Sequence, residues 1–259
     1  MRFGAVIFFT LITLVASGCA TRIAPIPYTG TATSDAISVK AAEKLAQRNA
    51  QIVSLKALYR AEVSYGSTRD LFRYAVTLDR PERIRVEILP INMAYSLLVL
   101  TAGANSIRVV DFSNDRVVQG TDVRAIMRSE LRLPLLPREL MALLLGGVPF
   151  ELSDQRATWY RNPETQHGDA LFLISPDRSF RMQIDPLTAQ PIRTQIVDLE
   201  DERVLLEVIY TGFQSAEEGY GLPELMEVTV PEESIAMRLK LRSAAVNGIV
   251  KESVFEGVN

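Results

Sequence analysis

The chain has 259 residues, 47% of them hydrophobic and 23% charged, with a net charge of −3 and no basic block, so nucleic acid and strongly anionic surfaces are not expected partners. Its single cysteine excludes an intramolecular disulfide. A single histidine, without G-x-S-x-G, H-E-x-x-H or paired Cys/His spacing, leaves a Ser–His triad or a metal site short of parts.

Arg2 supplies a positive start, Ala5 to Val15 an apolar stretch, and Ala16-Ser17-Gly18-Cys19 an ending of small residues. That order reads as a secretory signal over 1–18, and the stretch falls short of the roughly 20 residues a spanning helix needs. A free thiol in an exported chain is a liability unless something uses it. Ala20 to Ile37 holds Pro25, Pro27 and Gly30 without any hydrophobic period. Residues 19–37 therefore read as a flexible tether reaching about 25 Å, and 38–259 as one folded domain.

Ser38 is placed to cap a helix running to about Leu55, with Ala42, Leu45, Ile52 and Leu55 as its apolar stripe. The period then changes to two. Phe72, Tyr74, Val76 and Leu78 alternate with polar or small residues, a turn follows at Asp79-Arg80-Pro81-Glu82, and Ile84, Val86 and Ile88 alternate in turn. The pattern returns at Phe180, Met182 and Ile184, at Met226, Val228 and Val230, and at Ile235, Met237, Leu239 and Leu241. Other strands are expected near 58–65, 96–102, 106–112, 115–119, 157–162, 169–175, 192–198 and 203–213. Together they predict a large, mostly antiparallel sheet with one apolar and one wet face.

Two short helices interrupt the strands. Thr121 or Asp122 can cap a segment through Ser129, and Pro137 opens Leu140-Met141-Ala142-Leu143-Leu144-Leu145, which stops at Gly146-Gly147. The second is apolar on nearly every side and must be buried. A sheet this wide tends to curl. Helices plugging its opening would leave an apolar cavity; side chains could equally fill the interior solid. Between two strands, Leu89-Pro90-Ile91-Asn92-Met93-Ala94-Tyr95 is apolar where polar turn residues are usual, so Ile91 is expected to be exposed.

Ala16-Ser17-Gly18-Cys19 resembles the lipobox of bacterial lipoproteins, which implies that Cys19 is lipidated; Ala20, where aspartate favours inner-membrane retention, implies the outer membrane, facing the periplasm. From Leu55 to Val250 the order of parts resembles the LolA/LolB-like lipoprotein-carrier superfamily, nearest to the outer-membrane receptor LolB. The resemblance rests on the strand pair Phe72–Asp79 and Arg83–Leu89 followed by Pro90-Ile91. It rests also on Leu140 to Pro149 with its Gly146-Gly147-Val148-Pro149 ending, and on Tyr210-Thr211-Gly212-Phe213 before Leu222-Pro223 and the strand at Ile235 to Leu241.

The resemblance implies a mainly β, α+β fold: an antiparallel sheet of about eleven strands curled into an unclosed β-barrel with a helical lid. It implies that lipidated clients are accepted in an apolar cavity and delivered to the membrane without catalysis, cofactor or metal. Phe72, Tyr74, Val76, Leu78, Ile84, Val86, Ile88, Phe180, Met182, Ile184, Met237 and Leu239 would face the cavity. Leu140, Met141, Leu143 and Leu144 would form the lid, and Ile91 with Met93 the membrane-inserting loop, although Ile stands here for the family's Leu and Asn92 for its usual Gly. The implied partners are acyl chains of lipoproteins or lipids, a soluble periplasmic carrier, and the membrane through the anchor, for a monomer. No G-x-x-x-x-G-K is present, so direction would come from affinity differences between donor, receptor and bilayer. A tethered carrier or sensor of free lipid or glycolipid, and an assembly-accessory lipoprotein with a filled core, are the alternatives.

Enzyme readings find little to build on. His167 sits in the polar stretch Asn162 to Asp169 and reads as a solvated loop residue. Asp198, Glu200, Asp201 and Glu202 cluster at an apparent turn, and Trp159 falls at strand spacing, where a core role is expected.

Overall fold

Two runs of consecutive hairpins build the protein. The first holds β1 (Ser54–Tyr65), β2 (Thr68–Asp79), β3 (Arg83–Pro90), β4 (Leu98–Ala102), β5 (Ile107–Asp111) and β6 (Arg116–Gly120). The second holds β7 (Ala157–Arg161), β8 (Gly168–Ser175), β9 (Arg178–Ile184), β10 (Pro191–Asp198), β11 (Val204–Phe213), β12 (Pro223–Val230) and β13 (Ile235–Val246). Helix α1 (Ala36–Gln51) precedes both, and α2 (Val123–Leu131) and α3 (Pro137–Leu145) lie between them. The computed structural model describes residues 23–27, 36–149, 157–161, 168–175, 178–185, 187–214 and 221–256. Cys19 and His167 lie outside the described residues, as does the side chain of Trp159.

All thirteen strands join one antiparallel sheet in the order β6-β5-β4-β3-β2-β1-β13-β12-β11-β10-β9-β8-β7. Each run meanders, and the two meet in the middle where β1 pairs with β13, so β6 and β7 are its opposite edges. The expected fold class holds: mainly β, antiparallel and not closed into a barrel. Among the described residues no helix is long and apolar enough to cross a membrane.

Alternation decides the faces. On β1, buried Leu55, Ala57, Tyr59 and Ala61 alternate with Lys56, Arg60 and Glu62; on β13, buried Leu239 and Leu241 alternate with exposed Arg238, Lys240 and Arg242. The register Tyr59↔Tyr74 and Tyr59↔Leu241 keeps apolar residues on one face across three strands.

Helix α1 differs from the expectation at both ends, starting at Ala36 and stopping at Gln51. Leu55 belongs to β1, opposite Val246 and Leu78. The stop comes from the far end of the chain. Asn247 donates from its amide to Gln51 O (2.8 Å) and accepts from Val53 N (2.9 Å), so the break is made by a residue the local sequence does not contain. Helix α2 begins as expected at Asp122, whose carboxylate accepts from Ala125 N at 3.1 Å.

Part of the stretch expected as free tether is docked. Ile26 is buried against the outer face of β9 and β10; its N–H donates to Gln195 Oε1 (2.6 Å) and its carbonyl accepts from Arg181 Nη1 (2.9 Å). Gln195 also donates to Ala24 O at 3.1 Å. These bonds satisfy polar side chains that are themselves buried, Arg181 and Gln195 among them.

Candidate functional site

The concave face encloses a cavity of about 180 Å³. Seven adjacent strands, β4 through β1 and β13 through β11, line it together with α3 and the segment before it. Seven flat strands at about 4.8 Å spacing would be about 29 Å wide, well over the diameter of one helix. Strands at both ends of that span share a cavity with one helix, so the sheet curls around it. The twenty lining side chains are aliphatic or Met, apart from Tyr74. Burial pushes the Tyr74 phenol up to about 12.

Six of the twelve residues expected to face a cavity line it: Tyr74, Val76, Val86, Ile88, Met237 and Leu239. Leu78 and Ile84 are completely buried below it, and Phe180, Met182 and Ile184 are completely buried core on β9, outside the lining. Phe72 is half-buried and packs against the core. The structure adds Val63, Leu98, Leu100, Leu206, Val208, Met226, Val228 and Ile235 from strands. It also adds Leu131, Leu133 and Leu135, which alternate with Arg132 and Pro134 before α3. That alternation is a period-two signal outside any strand.

Of the residues expected to form a lid, Leu140, Leu143 and Leu144 line the cavity, whereas Met141 faces a smaller pocket with Arg80, Pro81 and Arg138. Both sides of α3 are therefore occupied, as its all-round apolar sequence requires. Polar contacts hold α3 and the segment before it at three places. The Tyr210 hydroxyl donates to Leu143 O at 3.1 Å, and burial holds that phenol above its usual range. Arg48 of α1 donates to Leu145 O (3.0 Å) and Gly221 O (2.9 Å) and lies 4.9 Å over the Phe213 ring; burial pulls its guanidinium down to about 10. Arg178 donates to Pro134 O at 2.9 Å. Glu139 is completely buried within α3, where Oε2 accepts from Leu136 N (2.7 Å), and desolvation raises its carboxyl above the usual range.

The apolar loop joins β3 to β4 beside the cavity, its stems Ile88 and Leu98 both in the lining. Its exposed large apolar side chains are Met93 (45%) and Tyr95 (59%); Ile91, expected at the tip, is half-buried. Arg73 explains the difference. Its guanidinium donates to Pro90 O (3.3 Å) and to Met93 O, clasping the backbone on both sides of Ile91 and leaving Met93 outward.

The acidic cluster is a turn between β10 and β11. Asp198 accepts from Glu200 N (2.9 Å), Asp201 accepts from Arg203 N (3.1 Å), and Glu202 pairs with Arg181 at 2.7 Å. Among the described residues no group of His, Cys, Asp and Glu is placed to hold a metal ion.

Solved structures share this arrangement. A LolA superfamily protein from Nitrosomonas europaea superposes with a TM-score of 0.58 at 11% identity, over 83% of this chain and 96% of the other. The fold is LolA-like. A domain from Vibrio parahaemolyticus named for outer-membrane lipoprotein sorting gives 0.60 at 11% identity, over 85% and 97%. A DUF1329 family protein from Desulfovibrio piger gives 0.62 at 9% identity, over 86% and 98%. No family model and no curated protein matches the sequence. At these identities the likeness is one of fold.

Proposed function

We propose that this chain is a LolB-like lipoprotein of the outer membrane, anchored through Cys19 and facing the periplasm. It accepts acyl chains of lipidated clients from a soluble periplasmic carrier and delivers them to the bilayer without catalysis. The observation that carries the reading is the cavity: apolar and walled by a curled sheet on one side and α3 on the other. The sorting and LolA-superfamily names of two fold neighbours support the same class of cargo.

The energetics give the cavity its use. Each methylene exposed to water costs about 0.8 kcal/mol, so a sixteen-carbon chain costs about 12 kcal/mol unless sheltered. An apolar cavity of about 150 Å³ in another protein holds one benzene. With about 180 Å³, the closed form here shelters a short segment of chain, and loading a whole chain requires α3 and Leu131–Leu135 to move outward. Met93 and Tyr95, next to the cavity wall, are placed to enter the bilayer during release.

The lining offers almost no polar atom, so it reads the chain and not the group the chain is attached to. That favours, as a second reading, a carrier of free lipid on the same fold. The test is to express residues 19–259 with Cys19→Ala, extract the protein and identify retained lipid by mass spectrometry. Co-purified or competing acyl ligand is expected; a protein that neither retains nor exchanges any acyl ligand refutes both readings. Depletion in the native cell separates them, since receptor function predicts lipoproteins stranded in the wrong compartment.

A further inference from the structure

On the outer face of the sheet, five residues stand directly opposite one another across five strands: Leu89, Arg73, Arg60, Lys240 and Leu225. Each neighbours an inward-facing residue, so all five point away from the cavity. Three cations abreast oppose the sheet's own pairing, because like charges at directly opposed positions are destabilising. Two of the nearby carboxylates are engaged elsewhere: Glu62 pairs with Arg69, and Glu227 with Arg238 at 3.5 Å. Among the described residues Arg60, Lys240 and Arg242 form no ion pair. Arg242 is the extra residue of a bulge opposite Leu58 and Tyr59, and with Arg60, Lys240 and Arg238 it lines a groove of about 400 Å³ that also holds Glu62 and Glu224.

We propose that this row is a docking surface for the phosphate headgroups of an anionic bilayer. The row crosses five strands, about 19 Å at normal strand spacing, which suits several anions side by side rather than one bound ion. Its ends are leucines, and Arg73 joins it to the apolar loop, since the same guanidinium holds the Met93 carbonyl. Cations flanked by apolar side chains match the interface of a membrane. No basic run encodes the surface: Arg60, Arg73 and Lys240 come together only through strand pairing, so charge read along the chain does not reveal it.

The inference rests on the reading that the protein works at a membrane, but its test needs no acyl cargo. Residues 19–259 with Cys19→Ala, which include every described residue, are sedimented with vesicles of phosphatidylcholine alone and of phosphatidylcholine with phosphatidylglycerol. Binding to the anionic vesicles is expected, weakened by salt. Replacing Arg60 and Lys240 together by Gln should weaken it about 25-fold, at about 1 kcal/mol for each cation near the surface. The same variant should melt at a higher temperature, because the like charges are gone, and should load a fluorescent fatty acid as before. Equal binding to both vesicle types, or no effect of the double substitution, overturns the proposal. Binding to polyglutamate without binding to anionic vesicles also overturns it, in favour of an acidic protein partner.

Discussion

Tyr210→Phe should loosen the lid without emptying the core. The hydroxyl is completely buried and donates to Leu143 O at 3.1 Å, the only polar tie from β11 to the middle of α3 among the described residues. Leu143 O keeps a partner without it, because it also accepts from Gly146 N at 3.1 Å. The loss is then that of one ordinary hydrogen bond, about 1 kcal/mol, or about a fivefold rise in the open fraction of the lid. If a full acyl chain enters only when α3 moves, loading should quicken by the same factor. Stopped-flow uptake of a fluorescent fatty acid measures this, and hydrogen exchange at the α3 amides checks that the lid is the element released. Faster exchange in α3 with unchanged uptake would refute the assignment of α3 as the gate.

Four further outcomes are expected. Val228→Phe projects a ring into the cavity; it should stabilise the fold by about 0.5–1 kcal/mol and reduce acyl binding, read by melting and by fatty-acid titration. Met93→Glu should leave stability within about 0.5 kcal/mol and impair delivery to vesicles, whereas Ile91→Glu, at a half-buried position, should also lower the melting temperature. Gln195→Ala removes a donor and an acceptor from the docked segment, so protease cleavage near Ala24–Ile26 should increase. Burial raises the folded-state values of Tyr59, Tyr74 and Tyr210 above the ordinary phenol value of 10, so their contribution is complete below pH 10 and is lost as pH climbs through those values. Melting temperatures should therefore fall above pH 10, less steeply in Tyr74→Phe.

Period-two alternation made the sheet readable, because one buried face forces every second residue of β2, β3, β9 and β13 to be apolar. The same signal could not say which apolar residues meet empty space. Phe180 and Tyr74 alternate equally well, yet one is packed core and the other lines the cavity, since curvature and lid position decide the matter. Contacts distant in sequence were equally hidden. Asn247 ends α1, Arg73 sets which loop residue is exposed, and Gln195 holds Ala24 and Ile26; each acts on backbone tens to nearly two hundred residues away. The Leu131-Leu133-Leu135 alternation was present but belongs to no strand, so pairing rules had no place for it.

The open sheet and the lid have one cause. The strand order puts β6 and β7, consecutive in the chain, at opposite edges, so their connection must travel the full width of the sheet. A curled sheet brings its edges toward each other, and the short route lies across its concave side. In that connection α3 is pressed against the apolar face, which explains why it is apolar on nearly every side and why even Glu139 is buried in it. Pairing β6 with β7 would close the barrel and give the crossing segment no interior to occupy. Helix α3 is then an obligatory part of the core, yet it joins no ladder of the sheet. Apolar contact and the few bonds from Arg48, Tyr210 and Arg178 hold it, and an entering acyl chain can replace the apolar contact with its own. On the proposed reading, the net cost of opening onto an acyl ligand reduces to those few bonds, each about 1 kcal/mol and more where Arg carries the charge, which is within reach of the roughly 12 kcal/mol a sheltered chain returns.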